Sequence, residues 1–229
     1  MRLTPKLALA LAILPVAAGC QSSNPALERS DKVVTMLVDH RTSLLSGEET
    51  VAKAQASLKT LQQSTGDLRP AFVEFAADIE SVRKEAQRVK AEAGAMRQRS
   101  ADYVTARQSD VGTIQNEELR KAAEKRATIA RGRYDRIDVL YREVNEAYAA
   151  HLQNLEDLQT YLANELNYPA LKSAQRWLDE SNVSAERLRS NLRELTMELN
   201  KASNSLARVP VPADADEGMY SPDAYARRN

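Results

Sequence analysis

A single cysteine excludes any internal disulfide in this 229-residue chain. Only two histidines are present, His40 and His151, and neither stands in the Glu-x-x-His spacing with which helical bundles build di-metal sites. The seven glycines never fall into GxxxxGK[ST], so no phosphate-cradling loop is expected. Neither charge sign is in excess, with 32 basic and 32 acidic residues, and nothing suggests a bulk nucleic-acid binder. Ser-His-Asp and Cys-His arrangements are not recognisable either. The chain therefore reads as a non-enzyme, with no catalytic residue, no metal site and no cofactor. Aromatic residues are scarce at 5%, while charged residues reach 28%. That balance, rich in alanine, leucine, glutamate and arginine, belongs to long helices and coiled coils, with a core that is a thin seam.

The one cysteine has a specific setting. Arg2 and Lys6 precede an apolar stretch from Leu7 to Gly19, 13 residues long, broken at Pro15 and closing on Ala17, Ala18 and Gly19. A spanning helix needs about 20 residues, so the stretch reads as an export signal, residues 1–19. "AAGC" resembles the lipobox of bacterial lipoproteins, with Ala17 where leucine is commoner. The resemblance implies cleavage between Gly19 and Cys20 and lipidation of Cys20, including a palmitate-type acyl chain on its new amino group. Several chains, each methylene contributing about 0.8 kcal/mol, give stable anchoring. Gln21, where inner-membrane lipoproteins often carry Asp, favours the outer membrane. Residues 20–30 are expected to be a flexible tether.

Beyond it, apolar residues recur every three or four positions. One seam runs Val33, Leu37, His40, Leu44, Gly47, Val51, Ala54, Leu58, Leu61, and a second from Phe72 through Val82 and Met96 to Tyr103. A third runs from Ala123 through Tyr134, Tyr141, Tyr148 and His151 to Leu162, and a fourth from Leu171 to Leu206. Repeats averaging 3.5 residues predict left-handed helix packing, here over 31–63, 70–108, 115–166 and 169–206. The expected fold is all-α: an elongated antiparallel bundle or coiled coil of four long helices. Breaks fall at Gly66–Pro70, at Gly112–Asn116 and at Asn167–Pro169, all with turn or capping chemistry. Residues 207–229, with three prolines and no periodicity, are expected to be disordered. Gly94, flanked by Ala91, Ala93 and Ala95, predicts a close helix approach there, and Gly47 and Gly132 are candidate kinks. The third helix is overlong and is expected to protrude or bend.

Secondary features follow from this frame. The tyrosine stripe Tyr134, Tyr141, Tyr148 is expected to pack in the core with hydroxyls at the rim. His40 and His151 sit at seam positions and at different heights. Trp177, one position off its seam, is a candidate contact point. With the membrane end of the bundle set by Cys20, the near half (26–45, 88–130 and 187–208) sums to +6 and the far half (46–87 and 131–186) to −6. Arg97, Arg99, Arg120 and Lys121 thus form a candidate patch for anionic headgroups.

The stretch "RYDRIDVLYREVNEAYAAHLQNLEDLQTYLANELNYPALKSAQ", with Arg133-Tyr134 and Tyr161-Leu162…Leu166-Asn167, resembles a bacterial family called domain of unknown function 2959, loosely over Val33 to Leu206. Its members are coiled-coil lipoproteins, which implies this fold and an envelope location, with no known site residues to carry over. Some relatives bear a DNA-repair ATPase label; this chain lacks the loop that label requires. The favoured function is a membrane-anchored structural or adaptor lipoprotein contacting an envelope protein. The alternatives are a periplasmic holdase chaperone and a ligand-sensing bundle. The partners expected are a membrane through the lipid and an envelope protein, without nucleic acid, and homo-oligomers stay open.

Overall fold

The computed structural model describes residues 24–207; the signal, Gly19, Cys20 and the tail beyond Ala207 lie outside the described residues. Five helices follow one another: α1 (Pro25–Gln63), α2 (Arg69–Gly112), α3 (Glu117–Asn164), α4 (Tyr168–Ser173) and α5 (Gln175–Leu206). No strand occurs among the described residues. The fold is the expected all-α bundle, with the last expected helix divided in two.

The start of α1 differs from expectation. Residues 25–30, read as part of a tether, are helical. Asn24 caps them, its Oδ1 accepting from Ala26 N at 3.0 Å, and Pro25 supplies a pre-set φ in the first turn. Lys32 then pairs with Glu28 at 2.7 Å, and Arg29 reaches across to Asp110 of α2 at 2.5 Å. Capping chemistry was present in the sequence but masked by its polarity. At the next break the chain stops at Ser64, and Asp67 accepts from Arg69 N at 3.1 Å while Leu68 takes the cap position. Helix α2 continues past 108 to Gly112, where Thr113 closes it. Asn116 caps α3, accepting from Leu119 N at 3.0 Å beside Glu117 and Glu118, which favour the positive helix end. Asn116→Ala should cost about 1 kcal/mol in urea unfolding. Unchanged stability would mean that Glu117 and Glu118 suffice. Asn167 caps α4, accepting from Ala170 N at 2.8 Å. At Ala174 the ladder tightens to a three-residue step, Trp177 N to Ala174 O at 2.9 Å, and this splits α4 from α5.

Helix α1 packs against α2 and α5, and α3 against the same two, so the four long helices stand in a square with α1 and α3 on a diagonal. Short connections make neighbours antiparallel. The start of α1 meets the end of α2 through Arg29, and Tyr168 OH donates to Gly66 O at 2.9 Å at the opposite end. Most seam positions are buried as expected, while His40, Phe72, Ala127 and Ala130 are only half-buried. Leu37, Leu44, Val144, Leu188, Leu192, Leu195 and Leu199 fill the longer core section. Phe75, Ile79, Leu155, Leu162 and Leu178 fill the section nearer Gly66. Leu140 and Ala147, off the third seam, are buried with them.

Helix α3 is 48 residues, about 72 Å, and outruns its partners. Between Glu117 and Arg133 only Ala123 is buried, while Leu119 and Ile129 are exposed. The helix stays continuous through Gly132, and α1 through Gly47, so neither glycine breaks the helix. The close approach expected at Gly94 is absent, since a Cβ there would meet nothing within 4 Å. It occurs at Gly47, where a Cβ would lie 2.7 Å from Tyr148 OH.

Candidate interaction groove

The face between α3 and α5 carries two adjoining recesses. Its seam residues are large, but the positions just outside them are short: Ala147 and Ala150 on α3, Val183 and Ser184 on α5. They line a cavity of about 730 Å³ that is rimmed by Glu146, Arg176, Asp179, Glu180 and Arg187. A second cavity of about 230 Å³ continues it toward the Gly66 end, between Tyr161, Leu158 and Asp157 of α3 and Trp177 and Ala174. Glu180 borders both. Trp177 is 54% exposed, Val183 71% and Tyr161 40%, whereas Leu158, Leu162 and Leu178 of the same core section are buried.

A polar pair lies under this groove. His151 is completely buried, with Nδ1 2.9 Å from Ser184 Oγ. The Ser184 hydroxyl gives its only hydrogen to Ser181 O at 2.8 Å, so His151 must donate from Nδ1 and keep Nε2 as a bare lone pair. That Nε2 is buried without a partner. Burial pushes the imidazole down to about 4, so it is neutral near pH 7. The pair is not a nucleophile with its base, because the histidine offers the serine an N–H and not a lone pair.

His40 is bonded elsewhere. Its Nδ1 lies 2.8 Å from Tyr141 OH, with the rings edge-on. Burial first, then the Arg99 and Arg88 charges, lower it to about 4. The tyrosine stripe is buried as expected, but its hydroxyls do not reach the rim. Tyr134 OH and Tyr148 OH are enclosed without partners, and burial raises all three phenols.

Beside Tyr141 and Tyr148 lies a charged tier that seam spacing misses. Arg88 donates to Glu92 at 2.8 Å, to Ser43 O at 2.6 Å and to Glu85, while the Ser43 hydroxyl donates to Glu92. Burial outweighs these partners and raises the Glu92 carboxyl. The signal was available in Glu85, Arg88 and Glu92, alternating charges at seam-flanking positions.

The four basic residues proposed for a membrane surface do not form one cluster. Arg97 lies 15 residues, about 22 Å, from the end of α2, and it pairs with Asp138 at 2.7 Å. Arg120 and Lys121 sit in the first turns of α3, facing Glu124 at 3.7 Å and Glu117 at 2.7 Å. Arg99 is exposed. Among the described residues no three His, Cys, Asp or Glu side chains gather as a metal site, and no helix is long and apolar enough to cross a membrane.

Neither a curated protein nor a solved structure matches the chain. The family described as "Protein of unknown function (DUF2959)" matches residues 24–208, which is the whole bundle from the Asn24 cap to just past the end of α5. The chain belongs to the DUF2959 family.

Proposed function

We propose that the protein is a membrane-anchored structural adaptor of the bacterial cell envelope, docking a partner protein in the α3–α5 groove. The observation that carries this reading is the groove itself: Trp177 and Tyr161 stand exposed at one end of a floor of short residues on a bundle whose leucine core is closed. Exposed aromatics over a shaped recess are what interface anchors look like. A closed core speaks for fixed docking and against a clamp that grips unfolded chains between its helices. No catalysis and no cofactor enter the reading.

The anchor completes it. Cys20 precedes the Asn24 cap by four residues, a span of at most about 14 Å. Lipid on Cys20 therefore holds the α1 end close to the membrane and presents the groove, which lies toward the Gly66 end, away from it. The arrangement suits an outer-membrane lipoprotein facing the periplasm.

In-cell photocrosslinking from position 150, at the groove, tests the reading. One dominant adduct is expected, reduced about tenfold by Trp177→Ala, while that exposed substitution shifts stability by no more than about 0.5 kcal/mol. A smear of many unfolded envelope proteins, or no adduct at all, overturns the adaptor.

A further inference from the structure

The chemistry of the groove also describes what fits it, given the adaptor reading on which this step rests. Its unspent charged groups are mostly carboxylates, beside the neutral Asn154 amide and Tyr161 hydroxyl. Among the described residues Glu146 has no hydrogen-bond or ion-pair partner, Asp157 accepts only from Gln153 at 2.9 Å, and Asp179 only from Gln175 at 3.0 Å. Glu180 is already spent on Arg176 at 2.9 Å. Ser184 Oγ uses its hydrogen on Ser181 O and one lone pair on His151, which leaves a lone pair at the cavity wall. Of the two arginines lining the recess, Arg176 is paired with Glu180, and Arg187 has no anion among the described residues. Three carboxylates without a cation against one guanidinium without an anion leave the surface short of positive charge.

Shape narrows the choice further. From Glu146 to Tyr161 the α3 edge covers 15 residues, about 22 Å, the length of four helical turns. Ala147, Ala150 and Ser184 keep the floor low along part of that length, and Trp177 and Tyr161 form a wall at one end. A compact loop does not fill the length, and a strand would find no backbone edge to pair with between two helices; a helix satisfies its own backbone and fits the gap. A second copy of this chain facing the groove in the same direction sets Arg187 on Arg187 and Asp179 on Asp179, so like charges oppose that parallel pairing.

We infer that the groove receives a cationic amphipathic helix of about four turns, its apolar stripe on Ala147, Ala150, Val183 and Trp177 and its lysines or arginines on Asp157, Asp179 and Glu146. The acidic rim selects the sign of the partner, and the short-residue floor selects its secondary structure.

Trp177 is the only tryptophan in the chain, so its fluorescence reports on the groove without a label. The full chain in nanodiscs of neutral phosphatidylcholine is titrated with an amphipathic peptide of about 18 residues, lacking tryptophan, whose leucine stripe is flanked by lysines. The same peptide with glutamates is the control. A blue shift of Trp177 is expected with the lysine peptide, at least about tenfold tighter than with the glutamate peptide and weakened by salt. The double substitution Asp157→Lys with Asp179→Lys, at exposed positions that leave the helical circular dichroism unchanged, should reverse the preference. Equal affinity for the two peptides, or a preference that survives the double substitution, overturns the inference. So does a shift that appears with protein concentration alone alongside a dimer mass in sedimentation, which assigns the groove to a second copy. If neither peptide shifts Trp177 while position 150 still crosslinks one partner in cells, the cationic-helix inference fails and the adaptor reading stands.

Discussion

Lowering the pH from 7 to 4 should remove roughly 3 kcal/mol of folding stability through His151 alone. In the unfolded chain this imidazole takes a proton near its ordinary 6.5, whereas in the bundle burial holds it at about 4. Between those values the unfolded state binds a proton that the folded state refuses, so stability falls as pH drops through that window and levels off below 4. His40, also lowered to about 4, acts in the same direction. Its share is smaller, because it is only partly buried and solvent screens it. Glu92 works in the opposite sense. Burial raises its carboxyl, so the folded state accepts that proton before the unfolded one and recovers part of the loss near the acid end. Urea unfolding followed by circular dichroism at pH 7, 6, 5 and 4 reads the slope. His151→Leu, close in volume and free of charge, should lower that slope by about one proton. If the variant keeps the full slope, His151 is not the group that resists protonation.

The same residue shows how far the sequence carries. His151 was legible as a seam position, because the 3-4 spacing that places Tyr148 and Leu155 in the core places it there too. What it bonds was not legible, since Ser184 lies on another helix and 33 residues away. Seam spacing reports which side of one helix faces inward, and the buried leucines of α5 follow it closely. It does not report how far two helices stand apart. That distance is decided by the residues beside the seams, and so the groove, formed by Ala147, Ala150 and Val183, was visible only as Trp177 lying off its seam. The helical turns at 25–30 escape seam spacing for a different reason. Asn24-Pro25 is a cap followed by a first-turn proline, yet the polar residues around it carry no seam, and the helix there is held by Arg29 reaching Asp110.

Glycine at position 47 follows from packing and should be among the least replaceable residues in the bundle. A Cβ at this site would lie 2.7 Å from Tyr148 OH, inside any real contact, and the hydroxyl is the end of a rigid ring that is itself 1% exposed. The ring cannot swing outward without vacating the core. Gly47→Ala gains about 1 kcal/mol of helix propensity, but forcing a close-packed region apart costs about 1 to 3 kcal/mol. The net expectation is destabilisation of about 1 kcal/mol, rising beyond about 3 kcal/mol for Gly47→Leu, whose branches have no space at all. Tyr148→Phe alone should be near neutral, because the lost hydroxyl is buried and makes no hydrogen bond. It should also rescue the alanine. With the hydroxyl gone the added methyl fits, and Gly47→Ala with Tyr148→Phe should equal or exceed the original stability by up to about 1 kcal/mol. The two substitutions are therefore non-additive by about 2 kcal/mol, which a double-mutant cycle in urea resolves. Strict additivity would place the conflict in α1 itself and not in its packing against Tyr148. A full rescue fixes the reason for the glycine: it admits a tyrosine from α3, across the diagonal of the square, to the middle of the bundle beside Arg88 and Glu85.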